Sequence, residues 1–333
     1  MADQGCQQQN GIAAWRMTDL NLSDIGVVLL EAQYNIRSII KHALMDIGCR
    51  NLYECGTPEE ARNLVRMMGP ELLLADLDAG RQEVCDLVED IRYRRCGADP
   101  FLVVIATTWE PSPGKVRRAI DSGIDDIVTK PISVSILKDR VENQIHNRKN
   151  FVATASYLGP DRRHEGERED DETTVIRVPN NLRYKVTGDA GAVVDDRAVA
   201  ETMEAITHQK IQRISIEVTG HALQLENLVV SGAAAGRTRI KIDEITRNTD
   251  EIARYLSGEN RNIPPGLEGI VVSMQRALAG LAAAKKPAAR DVEVLRLHAQ
   301  AINAALLDQD GAGEVVAQAL RQVVESPGES SAA

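Results

Sequence analysis

Short apolar runs without alternation recur through the first half of the chain: Val27-Val28-Leu29-Leu30, Leu72-Leu73-Leu74-Ala75, Phe101-Leu102-Val103-Val104-Ile105 and Ile124 to Val128, with a weaker one at Asn51-Leu52-Tyr53-Glu54-Cys55. Strands buried on both faces read this way. Helical windows lie between them, the first carrying Ile36, Ile39, Ile40, Ala43, Leu44 and Ile47 at helical spacing. Gly48, Gly69, Gly97 and Gly123 stand where four helices should stop, because glycine takes the left-handed conformation at little cost. Thr57-Pro58-Glu59-Glu60 reads as a cap followed by proline in the first turn. Five alternations of strand and helix up to Asn150 predict an α/β domain, a doubly wound parallel sheet with helices on both faces.

The second half has a different period. Residues 161–172, DRRHEGEREDDE, contain no apolar residue and read as a solvated linker. An extended piece is expected at Thr174 to Val178, ended by Pro179. From Asp189 the pattern is helical. Ile211, Ile214, Val218, His221, Leu225 and Leu228 form a seam of coiled-coil type, and Ile242, Ile245, Thr249, Ile252 and Leu256 form another. Further stripes run from Ile270 to Leu281, from Leu295 to Leu306 and through Val316, Leu320 and Val323, with Pro264-Pro265-Gly266 and Pro287 as breaks. About five helices in an all-α bundle are predicted, and two long seams suggest a homodimer. The expected layout is a tail at 1–21, the sheet domain at 22–150, a linker at 151–188, a helical domain at 189–325 and a tail at 326–333.

Charge and composition narrow the partners. A net charge of −10 on 333 residues argues against nucleic acid and against an anionic membrane surface. Only Tyr255 among the aromatics lies beyond Tyr184, so the helical region lacks stacking platforms for bases. The longest apolar candidate, Ile270 to Ala284, is broken by Gln275 and Arg276 and does not read as a membrane span. The opening residues have no signal-peptide pattern, and five cysteines without a Cys-x-x-Cys pair fit a reducing, cytoplasmic setting.

Candidate chemistry gathers at the carboxyl ends of the predicted strands, where open parallel sheets place their sites. Glu31 follows the first strand, Asp76 the third, Thr107-Thr108 the fourth and Lys130-Pro131 the fifth. This set suits phosphoryl handling on a carboxylate. Asp76 is the candidate nucleophile, Lys130 neutralises phosphoryl oxygens, and Thr107 or Thr108 donates to one of them. Carboxylates there can hold Mg²⁺, which prefers oxygen ligands.

VVLLEAQYNIRSIIKHAL, LLLADLD, FLVVIATT and GIDDIVTKPIS resemble the receiver domain of bacterial two-component response regulators over roughly residues 22–150. The spacing from Glu31 to Asp76 to Lys130 is the family's. The resemblance implies a flavodoxin-like sheet of order 2-1-3-4-5, phosphorylation of Asp76, Mg²⁺ on Glu31, Asp76 and Asp78, and a cis peptide before Pro131. It also implies a histidine kinase or phosphotransfer protein as partner. Three positions depart from the pattern. Ala32 replaces the second acid after the first strand, a direct metal ligand in the family, so Mg²⁺ would be held weakly. Ala79-Gly80 replaces a Met-Pro, and Ile127 replaces the switch aromatic.

Bland readings compete at each position. A strand-end Asp76 alone could be a loop acid and Lys130 a surface lysine. His221 could be a phosphotransfer residue, but the lysine of the His-x-Leu-Lys pattern is absent, and a polar seam residue is the simpler reading. No glycine-rich ATP lid and no basic recognition helix are present, so the chain reads neither as an enzyme nor as a DNA binder. The leading expectation is a response regulator whose helical region signals by protein contact. The alternatives are a pseudo-receiver scaffold that takes no phosphate and a transcriptional regulator with an unrecognised DNA-binding bundle.

Overall fold

The computed structural model describes residues 20–80, 83–163, 175–257, 265–284 and 286–307. The chain divides into two compact units. One comprises the residues up to Lys149 with Pro179–Asp195, and the other Asn150–Val178 with the residues from Asp196 onward.

The first unit is built on β1 (Gly26–Leu30), β2 (Asn51–Cys55), β3 (Leu72–Asp76), β4 (Val103–Thr108) and β5 (Asp126–Thr129), all parallel, in the order β2-β1-β3-β4-β5. Every residue of β1, β3 and β4 is buried, as their unbroken apolar runs require. Their pleat feeds two cores. Val28, Leu30, Leu73, Ala75, Val104 and Ala106 pack with α2 (Pro58–Met68), α3 (Glu83–Arg92) and α4 (Pro113–Asp121). Val27, Leu29, Leu72, Leu74, Val103 and Ile105 pack with α1 (Tyr34–Asp46) and α5 (Val134–His146). The Glu60 N–H donates to Thr57 Oγ1 at 3.3 Å, which starts α2 just before Pro58. Gly69 ends it at φ +53°, a conformation that a side chain would strain. Gly48 and Gly123 also follow helix ends at positive φ, whereas α3 stops at Arg92, well before Gly97.

Arg92 points inward and is 1% exposed. Its guanidinium donates to the carbonyls of Gly123, Pro100 and Leu102 at 2.8–2.9 Å and to Asp125 Oδ2 at 2.9 Å. Arg148 Nε meets the other Asp125 oxygen at 2.8 Å. Asp125, the first acid of the GIDD string, therefore ties the loop before β5 to the end of α3.

The stretch 151–188, expected to be linker, contains ordered elements. β6 (Phe151–Ala153) and β7 (Leu158–Pro160) form an antiparallel hairpin in the second unit. The Tyr157 hydroxyl donates to the Pro160 carbonyl at 2.8 Å, and Ile176 bridges to Phe151. Residues 164–174, most of the charged run, lie outside the described residues. Pro179–Asp195 then rejoins the first unit. There α6 (Asn181–Thr187) buries Leu182 in the core shared with α1 and α5, and Asn181 and Lys185 both bind Glu71 Oε1 at 2.9 Å.

Beside the hairpin, the second unit contains four long helices among the described residues. α7 (Asp196–Val230) packs against α8 (Ala235–Leu256) and α10 (Ala289–Leu307), and α9 (Leu267–Ala283) packs against the same two. Ile211, Ile214, Val218 and Leu225 lie in this core with Ile245, Met274 and Ile302. The seam is thus covered by the chain's own helices. His221 stands beside the seam at its edge, its Nε2 3.9 Å from Glu244, and the buried position is Ala222. The expected stripe through Val316, Leu320 and Val323 lies outside the described residues. Among the described residues, no helix is long and apolar enough to cross a membrane.

His298 is buried in this core; its Nδ1–H donates to the Val294 carbonyl at 2.7 Å and its Nε2 accepts from the Ser273 hydroxyl at 2.9 Å. Burial holds it below the ordinary imidazole value of 6.5. The unfolded chain then binds more protons than the folded one, so stability falls as pH drops below 6.5, by up to about 1.4 kcal/mol per pH unit until the folded value is passed. His298→Gln should flatten that slope between pH 7.5 and 5 in thermal melts followed by helicity; an unchanged slope would refute the assignment.

Candidate functional site

Four strands deliver the site to one edge of the sheet. Glu31 leaves β1, Asp76 ends β3, Thr107 and Thr108 end β4, and Lys130 follows β5. All five are buried. Lys130 lies between two carboxylates: its Nζ is 2.8 Å from Asp76 Oδ1 and donates to Glu31 Oε2. The Lys130–Pro131 peptide is cis. Glu31 Oε1 accepts from the Gln33 N–H at 3.0 Å, and Asp76 Oδ1 also accepts from the Asp78 N–H at 3.0 Å. Asp76 Oδ2 has no hydrogen bond among the described residues, so one acceptor oxygen is held and the other is left open. Burial pushes the Asp76 carboxyl up from its ordinary value, with Glu31 adding to the shift and Lys130 and the Asp78 N–H opposing it.

The two threonines differ in setting. Thr107 is the register partner of Asp76, and the pleat places both on the side of Ile105 and Leu74, toward α1 and α5. Thr108 falls on the other side and donates to Asp78 Oδ2 at 3.1 Å.

Asp78 forms a second cluster at the rim. Its Oδ2 also accepts the Trp109 N–H at 3.0 Å, and its Oδ1 meets Lys115 Nζ at 2.5 Å. Lys115 Nζ is also 3.3 Å from Thr108 Oγ1. Burial opposes ionisation of Asp78, but the bonds from Lys115, Trp109 and Thr108 outweigh it and hold the carboxyl below its ordinary value. Trp109 covers Lys130, whose Nζ is 5.6 Å from the ring centroid. Lys115 and Trp109 were not read as site residues from the sequence. A signal for Lys115 does exist there: it sits in the first turn of α4, where the helix dipole disfavours a cation, and no acid shares that turn.

The residues present do not fit a Mg²⁺ ion. Among the described residues, no group of three or more His, Cys, Asp or Glu side chains is arranged to hold a metal. Ala32 supplies no side-chain oxygen, both Glu31 carboxylate oxygens face N–H donors, and both Asp78 carboxylate oxygens are engaged by Lys115, Thr108 and the Trp109 N–H. Mg²⁺ demands near-octahedral oxygen ligation, which this arrangement does not offer.

Residues 27–142 match the response regulator receiver domain family. The chemotaxis protein CheY4 of Vibrio cholerae is 18% identical, with 36% of this chain and 97% of that one covered and a TM-score of 0.33. A CheY-like receiver domain protein of Methanospirillum hungatei is also 18% identical, covering 36% of this chain and 92% of that one, TM-score 0.33. The response regulator DrrB of Thermotoga maritima is 21% identical over 38% of this chain and 55% of its own, TM-score 0.33. By the family match alone, residues 27–142 are a response regulator receiver domain, a signalling module whose family interacts with histidine kinases or phosphotransfer proteins. The helical bundle lies outside the match.

Proposed function

We propose that this protein is a cytoplasmic response regulator that takes a phosphoryl group on Asp76 and signals through protein contacts of its helical bundle. The observation that carries the reading is the split environment of Asp76: Oδ1 is fixed by Lys130 and the Asp78 N–H, while Oδ2 stays open for attack. The donor is the phosphohistidine of a kinase or phosphotransfer protein. Asp76 Oδ2 attacks phosphorus, the P–N bond breaks, and the imidazole leaves with the electron pair. Lys130 then pairs with a phosphoryl oxygen, and Thr107, on the same face as Asp76, donates to another. Loss of the Lys130–Asp76 bond is the local event that biases the surface of α4, β5 and α5. The output is a protein partner rather than nucleic acid, given the net charge of −10. A homodimer would have to use a face other than Ile211 to Leu225, which the bundle itself covers.

Ala32 and the engaged oxygens of Glu31 and Asp78 favour a second reading, a pseudo-receiver that docks partners without taking phosphate. Incubation with ³²P-labelled acetyl phosphate separates the two. The wild type should be labelled and Asp76→Asn should not. Label that persists in Asp76→Asn removes Asp76 as acceptor, and an unlabelled wild type leaves the scaffold.

A further inference from the structure

We propose that Lys115 takes the place of the divalent cation, so that Asp76 accepts its phosphoryl group between two lysine ammoniums and without a metal. This rests on Asp76 being the phosphoacceptor. Three observations lead to it.

The first is the donor set. Apart from Asp76 Oδ2, every carboxylate oxygen of Glu31, Asp76 and Asp78 already meets a donor among the described residues. A metal would have to displace lysines from these oxygens, and with Ala32 it would have one acid fewer to repay that loss.

The second is the position of Lys115. A lysine in the first turn of α4 faces the positive end of the helix dipole, and the Ser112 side chain does not cap that turn. Asp78, 2.5 Å away, offsets this cost, and it is the residue whose backbone N–H fixes Asp76 Oδ1. The ammonium is therefore held one hydrogen-bonded residue away from the acceptor carboxylate.

The third is spare donor capacity. An ammonium has three N–H donors. Two are accounted for, on Asp78 Oδ1 and Thr108 Oγ1. The third remains for an incoming anion, and the Lys115 side chain is 32% exposed.

The step with a small acyl phosphate balances without a metal. Asp76 Oδ2 attacks phosphorus, the bond from phosphorus to the acetate oxygen breaks, and acetate leaves with the electron pair. The transferred group carries its three oxygens, paired to Lys130 and Lys115, and no proton moves. Phosphoryl transfer needs positioning and charge neutralisation more than covalent help, and a fixed ammonium supplies both.

The test uses the full chain, ³²P-acetyl phosphate, and either EDTA or Mg²⁺. Labelling of the wild type should proceed at the same rate in both. Lys115→Ala should slow it about 100-fold in EDTA, while Lys115→Arg, which keeps the charge, should retain most of the rate. Ala32→Asp combined with Lys115→Ala should label only with Mg²⁺. Mn²⁺ titration followed by electron paramagnetic resonance reads the metal directly: none bound by the wild type, saturable binding by the double variant. Wild-type labelling that EDTA abolishes and Mg²⁺ restores would overturn the role of Lys115 and leave Asp76 as acceptor. Undiminished labelling of Lys115→Ala in EDTA would do the same. A wild type unlabelled in both conditions overturns Asp76 as acceptor, and the role of Lys115 with it, and leaves the scaffold.

Discussion

Arg92→Ala should destabilise the first unit by about 3–5 kcal/mol, the scale for breaking a buried ion pair by removing one partner. The side chain is 1% exposed, so water does not replace what it donates. Its removal strips donors from the Gly123, Pro100 and Leu102 carbonyls and one of two guanidiniums from Asp125. Each abandoned buried acceptor costs about 1–3 kcal/mol, and Arg148 recovers only part of the Asp125 term. Trp109 lies over Lys130 at the edge of the receiver sheet, so urea unfolding followed by tryptophan fluorescence reports on this unit. Arg92→Met, which keeps most of the apolar stem, should lose nearly as much, because the loss is in hydrogen bonds. A cost below about 1 kcal/mol, the range of ordinary surface substitutions, would mean that the cluster does not hold this end of the sheet.

The second large effect lies in the bundle. Val218 and Leu225 are fully buried among Ile214, Ile245, Met274 and Ile302. Val218→Asp with Leu225→Asp places two carboxylates in an apolar core, at a cost of several kcal/mol each, against a typical domain stability of about 5–15 kcal/mol. The bundle should lose its helicity by circular dichroism while the tryptophan transition stays in place. The pattern alone suggested that these residues face a second copy. In that case the double variant would give a folded helical monomer, and that result would refute the intramolecular packing described above.

Much of the receiver was readable because its local chemistry agrees with its tertiary structure. The runs at Val27, Leu72 and Val103 lack alternation because the sheet is covered on both faces, and Gly48, Gly69 and Gly123 stop helices at positive φ. The hairpin and α6 were missed for physical reasons. β6 and β7 have three residues each, too few for a period to emerge, and the charged run after Pro160 dominates any window around them. The seam of α7 was found, but its phase was read too narrowly. A helix packed against two neighbours buries a broader stripe than a coiled coil, so Ser215 and Ala222 are interior and His221 stands at the edge. The site acids and Lys130 follow from strand ends. Lys115 does not, because it acts at the end of a long side chain whose reach across to Asp78 leaves no period in sequence.

The return of Pro179–Asp195 to the receiver, after Asn150–Val178 has joined the helical unit, changes what a division of this chain can mean. Each unit is completed by a piece that lies across the charged stretch from its main body. One cut between β7 and α6 would yield two fragments that each hold part of the other's fold: the first keeps the hairpin of the helical unit, and the second keeps Leu182 and the Asn181 and Lys185 partners of Glu71. Nicked halves would thus complement one another, and a receiver trimmed after α5 would present an open apolar seat where Leu182 belongs. Each unit is thus discontinuous in sequence, and no single residue number divides them.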